Sequence, residues 1–182
     1  SESIQCDYEQ VPSVLYSAYD KSLMEKEARA VNSLGFGAEF IKETQLPHPV
    51  AGAVLFPDMG QFHPLKFLYG AAKGLNIYEN TFVKRLDGCT AITDRGNIRA
   101  KRVIITTHYP FINSHGLYFM KMYQKRSFVI AVENAVKLDC TLEDYADSGI
   151  YMRSYGDLLL VGGGDRRTGK KSGGFETPRE FI

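Results

Sequence analysis

Apolar and polar positions along the chain follow two periods, and each period marks out elements. Between Ile4 and Tyr19, Tyr8, Val14, Leu15 and Tyr16 are spaced as in short strands, interrupted by Pro12, which has no N–H to give to a ladder. Leu23, Met24, Ala28, Val31 and Leu34 then recur at helical spacing. Asp20 or Ser22 can cap that helix, Gly35 can take the left-handed stop, and Glu25, Lys26, Glu27 and Arg29 solvate its other face. From Gly35 to Pro57, glycines and prolines punctuate loops and short strands such as Ala53 to Phe56.

Pro64 suits a first helical turn, and Leu65, Phe67, Leu68 and Ala71 or Ala72 make an apolar stripe up to Gly74. Leu75 to Tyr78 reads as a strand, and Phe82 to Leu86 with Ala91 to Thr93 as a hairpin. A second turn at Asp94-Arg95-Gly96 leads to Asn97 to Ala100. The β-branched run Val103 to Thr107 has the composition of a buried strand, ended by Pro110. Ser127 to Val132, Gly149 to Arg153 and Leu158 to Val161 complete the predicted strands, with a hairpin turn around Gly156.

Composition adds mostly exclusions. Twenty-two Lys and Arg stand against 21 Asp and Glu, so there is no basic excess to draw nucleic acid or an anionic membrane surface. No apolar run approaches the ~18 residues of a membrane span, and the start has no signal-peptide pattern, so a cytoplasmic protein is expected. Cys6, Cys89 and Cys140 form no CxxC pair and are expected as reduced thiols. His48, His63, His108 and His115 share no metal-ligand spacing, so no metal is expected. No GxSxG elbow supports hydrolase chemistry.

Two glycine clusters bear on nucleotide binding. Gly35-Phe36-Gly37 is followed by Phe40 where the dinucleotide fingerprint needs its third glycine, and a helix precedes it where a strand should. Gly164 to Lys171 follows a strand but places Lys171 where a phosphate loop needs Ser or Thr, so it reads as a basic loop.

The middle of the chain carries the ordered signal. Phe56-Pro57-Asp58-Met59-Gly60-Gln61-Phe62-His63-Pro64 leads into a helix. Ile77-Tyr78-Glu79-Asn80-Thr81-Phe82-Val83 follows, then Thr93-Asp94-Arg95-Gly96-Asn97-Ile98-Arg99-Ala100 and Val103-Ile104-Ile105-Thr106-Thr107. This succession resembles the FAD-dependent oxidoreductases of the D-amino-acid oxidase, glycine oxidase and sarcosine oxidase superfamily. It matches their D-x-G-x-x-x-P loop, their I-x-E-x-T-x-V strand, their hairpin ending T-x-x-G-x-I-x-A and, with Thr106 in place of the alanine, their V-I-x-A-T strand.

The resemblance implies an α+β fold, with a mixed, largely antiparallel sheet and two or three helices packed on it. It implies an internal fragment with an FAD-domain-like portion at 57–111 and substrate-domain-like portions at 1–56 and 112–182, taken as one compact piece. The GxGxxG loop that grips the cofactor pyrophosphate is not among the 182 residues. Ser1 in place of an initiator methionine and an end shortly after Pro178 read like an excised domain, whose partner is the remainder of the FAD domain. Such a fragment is expected to bind FAD weakly and to be inactive alone.

For the parent, the resemblance implies hydride transfer from an amino acid or related amine to FAD. Val83 is implied in main-chain contacts to adenine, and Thr106 and Thr107 lie beside the cofactor. The usual A-T-G reads Thr106-Thr107-His108 here, a bulkier residue than the glycine that lets backbone approach flavin. Downstream, Gly149 to Arg153 and Asp157 to Gly163 look like the later part of the family's substrate domain, which implies that Arg153 forks onto a substrate carboxylate and Tyr151 adds a hydrogen bond. Strand alternation puts both on one face, and the alternative for Arg153 there is a solvated or ion-paired surface residue. The rival expectation is a non-catalytic α+β binding module whose basic segment from Arg166 to Lys171 engages an acidic partner.

Overall fold

The computed structural model describes residues 3–109, 111–112, 116–146, 149–170 and 174–180. Pro110, His115 and Lys171, which carry some of the readings above, lie outside them. The chain divides into two compact units, one made of Ser1–Gly70 with Lys125–Ile182 and the other of Ala71–Gln124. In chain order the elements are β1 (Glu9–Gln10), β2 (Ser13–Ser17), α1 (Lys21–Ser33), β3 (Glu39–Ile41), β4 (Gly52–Phe56), β5 (Gly60–Gln61) and α2 (Pro64–Ala72). Next come β6 (Val83–Asp87), β7 (Thr90–Thr93), β8 (Asn97–Arg99) and α3 (Tyr118–Lys121). Last are β9 (Lys125–Glu133), β10 (Thr141–Asp144), β11 (Tyr151–Tyr155), β12 (Leu158–Arg167) and α4 (Glu176–Glu180). The fold is therefore α+β as expected, with two helices of some length, α1 and α2, and two short ones.

The first unit is built on a seven-stranded sheet in the order β3-β4-β2-β10-β11-β12-β9. Every neighbouring pair is antiparallel except β10, which runs parallel to β2 with Leu142 beside Val14. One face buries Val14, Tyr16, Ala53, Leu142, Met152 and Val161, with Leu138, Cys140 and Ile150 joining that core. Burying a side chain of this size contributes roughly 1.5–3 kcal/mol. The opposite face is covered at its β2–β4 end by α1, whose Met24 and Ala28 pack with Val54 and Ala38. Asp20 caps α1 as the sequence suggests, its Oδ1 accepting from the Leu23 N–H at 2.9 Å, and Gly35 takes φ +85° just past its end. Asn32 then ties the outgoing chain down: its Nδ2 donates to the carbonyl of Ala38 at 2.7 Å while its Oδ1 accepts from the Ala38 N–H at 3.1 Å.

Two expectations change in this unit. The strand read as Leu158 to Val161 continues to Arg167, so residues 164–167 of the segment taken for a basic loop belong to the strand, with a bulge between Gly163 and Arg166. Thr141–Asp144, which carried no strand signal, is a central strand.

The second unit holds a three-stranded antiparallel meander, β6-β7-β8, with Ala91 opposite both Leu86 and Ile98. The Asp94 to Gly96 turn is closed by Thr93, whose hydroxyl donates to the Gly96 carbonyl at 2.6 Å. Leu75 to Tyr78 and Val103 to Thr107 are not strands, and their side chains stand open, Ile104 at 85% and Ile77 at 60% exposure. An apolar run becomes a strand only against a neighbour's N–H and C=O groups. Among the described residues the meander pairs with neither run.

Candidate functional site

Strand β11 alternates as its sequence requires: Met152 and Ser154 point into the core, while Tyr151, Arg153 and Tyr155 stand on the other face, half-buried. That face is away from α1 along the sheet, and it carries a cavity of about 300 Å³. Tyr151 and Arg153 line it together, with Glu143 of β10 and Val129, Leu160 and Gly162 of the strands beyond. The register sets the arrangement, since Tyr151 pairs with Glu143 on one side and with Gly162 on the other, and Arg153 pairs with Leu160. A side chain at Gly162 would overlap the Tyr151 ring, so this glycine is the seat on which the ring lies.

Arg153 is held from outside the sheet. Its Nη1 donates to Gln61 Oε1 at 3.3 Å, and the Tyr155 ring lies 5.9 Å from its guanidinium carbon. Gln61 Nε2 donates in turn to Glu9 Oε2 at 2.8 Å, the two residues being paired across β1 and β5. Beside this row, the Tyr155 hydroxyl donates to Asp7 Oδ2 at 3.0 Å, and Lys66 forms an ion pair with the same oxygen at 2.5 Å. Those hydrogen bonds, from Lys66 first and then Tyr155, hold the Asp7 carboxyl below its ordinary value, and the Asp7 bond raises Lys66. The sequence pointed to Tyr151 and Arg153 but to none of Gln61, Glu9, Glu143 or Gly162. Gln61 lies within the quoted Asp58 to Pro64 loop, whereas Glu143 sits on the strand that had no signal.

The residues expected near a cofactor lie in the second unit. Val83 opens β6 opposite Thr93, and the register shifts between Val83 and Arg85. A cavity of about 440 Å³ nearby is lined by Tyr78, Glu79, Thr81, Thr93 and Arg95 among others. Thr106 and Thr107 are exposed, and the Thr107 hydroxyl donates to the Tyr109 carbonyl at 2.9 Å. His108, where the family pattern has glycine, takes φ +62°. This is the left-handed conformation that glycine adopts freely and an L side chain adopts at a cost. Among the described residues no three His, Cys, Asp or Glu side chains are grouped to hold a metal, and no helix is long and apolar enough to cross a membrane.

Comparison with known proteins agrees with this architecture. Glycine oxidase from Bacillus cereus ATCC 14579 superposes with a TM-score of 0.67 at 20% identity, covering 90% of this chain and 50% of that one. L-proline dehydrogenase from P. horikoshii gives 0.70 at 15% identity, covering 97% and 55%. Iminodiacetate oxidase from Chelativorans sp. BNC1 gives 0.61 at 14%, covering 92% and 51%. In sequence, the chain is 29% identical over 145 residues to YhfW of Bacillus subtilis (strain 168), named for a Rieske 2Fe-2S iron-sulfur protein, covering 74% of this chain and 28% of that protein. The chain thus spans about half the length of the structural relatives and less of YhfW. The family model for FAD dependent oxidoreductases matches residues 1–181, and the chain belongs to that family.

Proposed function

We propose that this chain is the larger part of the substrate-binding region, with a smaller part of the cofactor-binding region, of an enzyme that oxidises an amino acid or related amine. The FAD-domain-like portion is assigned to 57–111 and the substrate-domain-like portions to 1–56 and 112–182. When bound, FAD supplies the acceptor for the hydride leaving the carbon that bears the amine. The residues present suit that group on its adenine side. Recognition there falls to the main chain around Val83, whereas His108 takes φ +62° with a side chain where the family pattern has glycine. Thr106 and Thr107 border the same approach. The pyrophosphate-gripping loop belongs to the remainder of the FAD domain, so the 182 residues alone bind FAD weakly and do not turn over.

The observation that carries the substrate reading is the shared cavity of Tyr151 and Arg153, with the guanidinium held by Gln61. A planar fork of donors accepts a carboxylate in two parallel hydrogen bonds, and the Tyr151 hydroxyl can add a third. Val129 and Leu160 then offer an apolar wall to a substrate side chain. Glycine oxidase, L-proline dehydrogenase and iminodiacetate oxidase are named for carboxylate-bearing amines, which is the class this reading assigns. The test is Arg153→Leu in the whole protein. The Michaelis constant for a carboxylated substrate should rise about ten-fold or more, the cost of losing a charged hydrogen-bond partner. An unchanged constant removes Arg153 from the site.

A further inference from the structure

We propose that Glu143 recognises the substrate amine, so that this pocket selects zwitterionic α-amino acids over carboxylic acids of the same shape. The inference rests on the carboxylate assignment to Arg153 just made and extends it to the other end of the ligand.

Glu143 and Arg153 lie on the same sheet face and line the same cavity of about 300 Å³. Because Glu143 pairs with Tyr151, it is the diagonal neighbour of Arg153 across β10 and β11. Such diagonal positions are ~7–8 Å apart at their backbones, near enough for one small ligand to touch both side chains. Among the described residues the two are not ion-paired with each other: Arg153 donates to Gln61, which is itself bound by Glu9. The support from outside the sheet therefore keeps the guanidinium from collapsing onto Glu143 and leaves a carboxylate and a guanidinium lining one cavity without pairing to each other.

An α-amino acid carries the complementary pair of charges on adjacent carbons. Its carboxylate meets Arg153 while its ammonium or amine N–H groups donate to Glu143, two charge-assisted contacts at once. A ligand without the amine gains the first contact but brings its negative charge next to Glu143 with nothing to offset it, which disfavours it. Selectivity thus comes from an attraction and a repulsion at one residue.

The probes are L-proline with cyclopentanecarboxylate, its ring without the nitrogen, and glycine with acetate. Equilibrium binding to the whole protein containing this chain is measured by calorimetry. The unaltered protein should prefer the amino acid of each pair. Glu143→Gln, of nearly the same shape, should weaken the amino acid about ten-fold and leave the carboxylic acid unchanged or tighter. Glu143→Asp should keep the preference, and serves if the Gln variant fails to fold. Equal effects on both members of a pair, or none, overturn the proposal for Glu143. If carboxylic-acid binding does not depend on Arg153, or no probe binds, the pocket assignment itself falls and Glu143 falls with it.

Discussion

Arg153 and Gln61 are joined by a hydrogen bond of 3.3 Å from Nη1 to Oε1, although one sits at mid-sheet and the other on a two-residue strand outside it. Glu9 makes this contact directional. By accepting from Gln61 Nε2 at 2.8 Å, it turns the amide so that its oxygen faces the guanidinium. Gln61→Leu removes the acceptor and frees Arg153 to move toward Glu143. The Michaelis constant for a carboxylated amine should rise several-fold while kcat changes little, because a loosened anchor weakens ground-state and transition-state binding alike. Glu9→Gln should give a smaller change in the same direction. A large loss of kcat with an unaltered Michaelis constant would contradict the positioning role.

Gly162 seats the Tyr151 ring, and a Cβ there would overlap it. Gly162→Ala should destabilise the protein by about 1–3 kcal/mol as the ring is pushed from its rotamer. A chemical denaturation midpoint measures this, and the double variant with Tyr151→Ala should recover most of the loss.

Tyr16 is almost fully buried, and among the described residues its hydroxyl has no hydrogen-bond partner, with burial raising its pKa. Leaving a polar group buried and unpaired costs about 1–3 kcal/mol. Tyr16→Phe should therefore leave stability unchanged or raise it by about 1 kcal/mol, the opposite of the usual result for a core substitution. A lower melting temperature would show that the hydroxyl has a partner in solution.

His108 holds φ +62° without glycine's freedom. His108→Gly should stabilise the folded state by up to about 1 kcal/mol by relieving that conformation, less the added entropy of the unfolded chain. His108→Val should destabilise it, since a β-branched residue tolerates this region least. Thermal melts of the two variants measured side by side decide the point.

Asp7 has its carboxyl lowered below 3.8 by Lys66 and Tyr155. A lowered carboxyl contributes stability at pH values above its unfolded value, and that contribution disappears as the pH falls through the folded one. Lys66, raised above 10.5, contributes below that value and loses its effect as the pH climbs through the folded one. Asp7→Asn should flatten the acid limb of the stability profile below about pH 4 and leave the region near pH 7 with a small, pH-independent loss. An acid limb identical in both proteins would show that the Asp7–Lys66 pair does not stabilise the fold.

Local chemistry made much of this legible in the sequence. Asp20 and the apolar stripe from Leu23 to Val31 specify α1, Pro64 opens α2, and Gly156 sets the β11–β12 turn with Tyr155 opposite Leu158. Period-two alternation likewise put Tyr151 and Arg153 on one face. What escaped was non-local. β10 is a four-residue strand whose place is fixed by a parallel pairing with Val14, more than a hundred residues earlier in the chain, so neither its existence nor the role of Glu143 had a local signal. Gln61 reaches Arg153 across 92 residues in the same way. The converse error came at Val103 to Thr107, where composition describes a strand but the ladder it needs is not made among the described residues.

The central claim is that a carboxylate-bearing amine is oxidised with Arg153 as its anchor. Anaerobic mixing of the whole, FAD-containing protein with a series of amino acids, followed at the flavin's visible absorbance, tests it most directly. Bleaching by at least one α-amino acid is expected, with a half-saturating concentration raised about ten-fold or more in Arg153→Leu. A protein that takes up no FAD, or whose flavin is bleached at the same amino-acid concentrations with and without Arg153, would contradict it.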